Sequence, residues 1–239
     1  MHNLYQELHR EIKKYQSNPK HKWKREMAVH VPMIGTRYNS HSNMRIMWIG
    51  RALNGEESEP AFNQNAQDFS DKMISKFTDH SRFDWLRNYN YRRSAFWRTS
   101  KLVAEALLSA SSSVDDWYED LVWANLYTVA PSKGGNPCSS LCTAQRMTCG
   151  KLLKKQIELL KPSHIVFVTD WNWFCEFNQP ATDSMPLFCD IRFNNNENSV
   201  IVGRGNIGHA TVVVTRRPER HFTDKFFAEC VIKALTDNK

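Results

Sequence analysis

Apolar residues recur at helical spacing in LYQELHREIKKY, residues 4 to 15, which predicts an opening amphipathic helix. The first strand is read over Met44 to Ile49, an apolar run that ends at Gly50. Residues 61 to 110 read mostly helical, with a break near Arg87 to Tyr91 and a regular helix in FWRTSKLVAEALLSA. DLVWANLYTV reads as a second strand that ends in the Pro- and Gly-marked loop APSKGGNP. A helix follows from Thr143 to Leu160, with Met147, Leu152, Leu153, Ile157, Leu159 and Leu160 as its apolar positions. It stops before Pro162, and HIVFVTD is a buried-type strand. WNWFCEF reads as a short helix, SVIVGRGN and HATVVVTRRP as later strands, and FTDKFFAECVIKAL as a closing amphipathic helix.

Strands alternating with helices predict an α/β fold, a three-layer α/β/α arrangement around a central, mostly parallel sheet. No repeat, low-complexity tract or long linker interrupts the 239 residues, which therefore read as one domain. Residues 1–43 supply an N-terminal helix and a basic segment, and residues 44–236 the core. Three strand ends are rich in polar chemistry: GRALNGEE, ANLYTVAPSKGGNP and TRRPERH. In an open parallel sheet such ends share one edge, where ligands bind.

Composition narrows the class. Apolar content of 41% and charged content of 24% are ordinary for a globular chain. No run approaches the roughly 18 apolar residues of a membrane helix, and the polar, periodic N-terminus is not a signal peptide. The six cysteines all follow position 137, which is no secreted disulfide scaffold. A cytoplasmic protein without membrane contact is expected. The C-x3-C-x6-C spacing of Cys138, Cys142 and Cys149 matches no strong metal signature, so neither metal nor cofactor is expected.

The charge of +7, from 32 Lys and Arg against 25 acids, favours a polyanionic partner. Lys20, Lys22, Lys24 and Arg25 surround Trp23, and residues 82 to 98 interleave five arginines with six aromatics. Such a pattern neutralises phosphates and stacks on bases. The same pattern also arises when the aromatics are core and the arginines line a solvated helix face. The sequence leaves both readings open.

The three loaded strand ends, in this order, resemble the motifs of the uracil-DNA glycosylase superfamily. The first is Gly50-Arg51-Ala52-Leu53-Asn54-Gly55-Glu56-Glu57, closest to the branch with Ala after the opening Gly and a carboxylate further along. The second runs from Ala124-Asn125-Leu126 to Asn136-Pro137, followed by KLLKKQIELLKPSHIVFV. The third is Thr215-Arg216-Arg217-Pro218. The likeness spans roughly residues 44 to 236. The chain departs from the family at Leu53, where Pro is usual, at Asn54 for Gly, and at Arg217 for His.

The resemblance implies hydrolysis of an N-glycosidic bond on a base flipped out of DNA. Glu57 is the implied catalytic carboxylate, orienting water and favouring the developing sugar cation. Asn54 would help hold water or sugar, although Asn-Gly is also a common turn. Arg217 would stabilise negative charge on the leaving base; as a permanent cation it cannot act as a tunable acid. Gly50, Arg51 and Ala52 would line the substrate, Asn125 would read the base edge, and Phe62 would stack on the base unless it is simply a buried core ring. His209 or His221 would take over the missing histidine role. Arg92, Arg93, Lys133, Arg216 and Arg220 would grip phosphates.

The expected protein is a monomeric, monofunctional DNA glycosylase that leaves an abasic site, acting on uracil or a modified pyrimidine such as those that disguise viral DNA. A catalytically silent DNA-binding protein on the same fold and a hydrolase of free nucleosides or nucleotides are the alternatives.

Overall fold

The computed structural model describes residues 1–19, 26–40, 44–52, 60–108, 116–179, 186–194, 199–219 and 222–237. In chain order the elements are α1 (His2–Ser17), β1 (Met27–Val29), β2 (Met33–Ile34), β3 (Ile46–Gly50), α2 (Ala66–Thr78), α3 (Trp85–Asn88), α4 (Ala95–Leu108), β4 (Leu121–Asn125), β5 (Val129–Pro131), α5 (Ser139–Leu160), β6 (His164–Val168), α6 (Trp171–Asn178), β7 (Arg192–Phe193), β8 (Ile201–Ile207), β9 (Ala210–Thr215) and α7 (Asp224–Thr236). Short 3-10 turns fall between several of them. The fold is mixed α/β. No helix among the described residues is long and apolar enough to cross a membrane.

The described residues gather into two compact units. The first comprises Met1–Pro32, Gly50–Asp79 and Ala124–Leu160. Here α1 buries Tyr5, Leu8, His9, Ile12 and Tyr15, one apolar stripe of its helical period, and packs on α2 and α5. Asn65 caps α2 by accepting a hydrogen bond from the Asp68 amide at 2.9 Å. β1 and β5 form an antiparallel pair with Val29 opposite Val129. Gln145 of α5 holds β5 in place, accepting from the Val129 amide at 2.8 Å and donating to its carbonyl at 2.7 Å.

The second unit comprises Met33–Ile49, His80–Trp123 and Lys161–Lys239. Its sheet has the order β2-β4-β3-β6-β9-β8-β7. The centre is parallel at β3–β6 and β6–β9, with fully buried Val, Ile and Phe runs. Pairing is antiparallel at β2–β4, β9–β8 and β8–β7. The mostly parallel sheet expected from the sequence is therefore a mixed one. The cause is local: only Gly208 and His209 join β8 to β9, and two residues can close a hairpin but not a crossover. Gly208 has φ 59, the first loop position at which a hairpin turn favours glycine.

Other expectations shift at their edges. The strand expected to be first is the third, β3, and starts at Ile46 rather than Met44; the long helix starts at Ser139 rather than Thr143. DLVWANLYTV is not one strand: β4 stops at Asn125, and Val129 begins β5 in the other sheet.

The basic, aromatic segment 82–98 resolves in favour of the core. Phe83 and Trp97 are buried, and Trp85, Phe96 and Trp97 pack with Trp123 of β4. Its arginines are divided. Arg87 donates to the Tyr118 hydroxyl at 2.7 Å and pairs with Glu119 at 2.8 Å, while Arg98 pairs with Asp224 of α7 at 2.6 Å. Arg92 and Arg93 are exposed.

Candidate functional site

Asn125 closes β4, and the chain beyond it runs alongside the turn that leaves β3. The Leu126 amide donates to the Gly50 carbonyl at 2.9 Å, and the Tyr127 amide to the Arg51 carbonyl at 3.0 Å. Two of the three sequence motifs are thus joined within the first unit. Gly50 is buried, and Arg51 and Ala52 are half-buried. Asn54 and Glu57, the implied catalytic pair of this turn, lie outside the described residues, as do Arg220, His221 and the basic cluster around Trp23.

The Asn125 side chain is only 6% exposed, yet its Nδ2 has no hydrogen-bond partner among the described residues. A buried donor left unmade costs about 1–3 kcal/mol. Such a group can be satisfied by an acceptor from water or a ligand, and an amide both donates and accepts.

Phe62 is 4% exposed, within a ring cluster. Its centroid lies 6.1 Å from His9 with the planes 16° apart, and 5.1 Å from Phe69. The ring expected to stack on a base is a core ring here, covered by its neighbours. His9 is 6% exposed, and burial holds its imidazole below the ordinary histidine value, with Lys13 and Arg10 acting in the same direction. The helical spacing of α1 places His9 on the apolar face but gives no sign of its ring partners.

The third motif belongs to the second unit, at the edge where the carboxyl ends of β3, β6 and β9 lie together. Arg216 is tied down, its Nε donating to the Ser199 carbonyl at 3.1 Å and its amide to Val200 at 2.9 Å. The Arg217 guanidinium pairs with Glu219 two residues on, so its charge is met within its own turn. The Arg217 amide donates to Asp170 Oδ1 at 3.0 Å.

Asp170 was not a candidate from the sequence. It ends the β6 segment with φ 61 and ψ 158, a conformation that glycine alone adopts freely. A non-glycine residue held there costs about 1–3 kcal/mol. VTDWNW shows only that a strand gives way to an aromatic helix; nothing in it signals the dihedral.

His209 is exposed at the tip of the β8–β9 hairpin. β9 separates it from Arg216 by six residues, about 20 Å of strand. It stands at the amino end of β9, whereas Arg216 and Arg217 stand at the carboxyl end, so the two are not brought together. Lys133 is exposed on the turn after β5, where Gly134 has φ 94 and Gly135 φ 90.

Cys149, buried, and Cys138, half-buried, have structural partners. Cys149 accepts from the Thr128 amide at 3.4 Å and donates to Gln145 Oε1 at 3.3 Å, and burial pushes its thiol up to about 11. Cys138 meets the Tyr15 and Ser140 hydroxyls at 3.4 and 3.3 Å.

No protein-family profile and no curated protein matches this chain, so the candidate site is defined by its geometry and by the order of its motifs.

Proposed function

We propose that this chain is a monofunctional DNA glycosylase that hydrolyses the N-glycosidic bond of a flipped-out uracil or modified pyrimidine and leaves an abasic site. On this reading its layers are those of the uracil-DNA glycosylase superfamily, three-layered around the sheet, and it works on DNA in the cytoplasm. The observation that carries the reading is the buried, unpartnered Nδ2 of Asn125, beside the backbone of the Gly50–Arg51 turn. A buried donor with no partner among the described residues is suited to reading a base edge. Glu57 of that turn is the assigned water-orienting carboxylate.

The reading is tested by mass-spectrometric detection of bases released from DNA containing uracil, deaminated purines, or hydroxymethylated and glucosylated cytosines. One base should be released. Glu57→Gln should slow release by at least about 100-fold, the scale of general acid–base help. Asn125→Leu should slow it by at least about tenfold, one hydrogen bond's worth. The same change should leave the unfolding midpoint within about 2 °C, because Nδ2 has no hydrogen-bond partner among the described residues to lose. Release of every base without preference, or release untouched by either change, would falsify the assignment. The pairing of Arg217 with Glu219 favours one second reading, a catalytically silent DNA-binding protein on the same fold. No release together with salt-sensitive DNA binding is its signature.

A further inference from the structure

We propose that Asp170 is a positioning residue of the third motif, whose carboxylate seats the Thr215–Pro218 turn at the carboxyl edge of the second unit's sheet against backbone strain. Three observations meet at this residue. Its φ of 61 and ψ of 158 fall where only glycine is at ease, and strain of this kind concentrates at functional sites. It occupies the N-cap position of α6, where aspartate is among the best caps, yet its side chain makes no capping bond. Instead it clamps the third motif from both sides. Its amide donates to the Thr215 carbonyl at 3.0 Å, and its Oδ1 accepts from the Arg217 amide at 3.0 Å.

Glycine would adopt this backbone without strain and keep the bond to Thr215. What aspartate adds is the carboxylate, which accepts from the Arg217 amide and does not cap its own helix. The location fits that use, since Asp170 follows β6, a central parallel strand whose carboxyl end is where open sheets place ligands. A turn fixed in this way orients whatever its residues present, and small misplacements at a reacting centre cost rate more than binding. The activity half of this inference rests on the glycosylase reading; the structural half does not.

The test compares the full-length wild type with Asp170→Gly and Asp170→Asn in three measurements: thermal unfolding, hydrogen exchange at the Arg217 amide, and steady-state base release. In Asp170→Gly the unfolding midpoint should hold or rise by about 2–4 °C. The Arg217 amide should exchange at least about tenfold faster, as a lost hydrogen bond allows. Its kcat should fall at least about tenfold while KM changes little. Asp170→Asn keeps an acceptor oxygen and should restore both amide protection and most of kcat.

A lower midpoint in Asp170→Gly with unchanged Arg217 exchange overturns the proposal, because the residue would then be a plain structural one. Full kcat in Asp170→Gly despite faster exchange overturns it too, as does an Asp170→Asn as impaired as the glycine variant. A wild type that releases no base sinks the glycosylase reading alone, since unfolding and exchange then decide Asp170 by themselves.

Discussion

His9 and His164 carry a pH dependence that belongs to single residues. The His9 ring is enclosed with Phe62 and Phe69, their centroids 6.1 and 5.2 Å away. His164, at the start of β6, is likewise held by burial below the ordinary value. In both, the folded chain prefers the neutral ring, and the unfolded chain takes up a proton first, near pH 6.5. The stability they contribute is therefore complete above about pH 6.5 and is lost as pH falls toward their depressed folded values. Over that window each group removes up to about 1.4 kcal/mol per pH unit. The unfolding midpoint should drop between pH 7 and pH 5, and His9→Phe should flatten part of that drop. A midpoint equally pH-dependent with and without His9 would show that the ring is charged or hydrated after all. Asn125 makes the complementary case at this scale. Its place in the motif order is legible in the sequence, but its unpartnered amide is not, because hydrogen-bond partners come from backbone distant along the chain.

Between elements, one buried ionic clasp fixes the turn after β2 to the start of β4. Arg37 grips Asp120 with two bonds of 3.0 and 2.9 Å and Glu119 with one of 3.0 Å. Thr36 and Arg87 add bonds of 2.8 Å each to Glu119. Asp120 is 1% exposed, so Arg37→Ala removes two charge-assisted bonds from a buried carboxylate, at a cost of about 3–5 kcal/mol. The unfolding midpoint should fall by about 6–15 °C; a drop under 2 °C would mean that Asp120 finds water or protonates instead. Gly35 belongs to the same contact, for a Cβ there would meet the Glu119 carbonyl at 2.1 Å. None of this is legible in the sequence, where Arg37 and Asp120 are 83 residues apart. What is legible is periodic and long: α1, α4, α5 and α7 by their 3.6-residue stripe, β6 and β9 by their unbroken apolar runs. β1, β2 and β7 have three, two and two residues, too few for any period to register. Alternation of element types points to a parallel sheet, but the two-residue link between β8 and β9 closes an antiparallel hairpin.

Across the whole molecule, the net charge of +7 already includes the carboxylates that pair with arginines, so what an anionic partner meets depends on which cations are left unpaired. Arg87, Arg98, Arg216 and Arg217 are already bound to carboxylates or carbonyls within the protein. Arg92 and Arg93 differ. Both are exposed on the 3-10 turn that leads into α4, and their guanidinium groups have no partner among the described residues. Tyr89, 40% exposed, stands just before them, with its ring 5.0 Å from Trp85. On the glycosylase reading these two arginines contact phosphates, and the paired ones serve the fold. Binding to long duplex DNA then weakens linearly in log salt, with a slope of about 0.9 per phosphate neutralised. Arg92→Ala with Arg93→Ala should lower that slope by about 2, with the unfolding midpoint unchanged. Arg87→Ala should do the reverse, leaving the slope alone and lowering the midpoint, because it uncovers Glu119 rather than a phosphate contact. A slope that ignores the first pair and falls with Arg87 would place the phosphate contacts at the clasp, and the roles of the two sets of arginines would have to be exchanged.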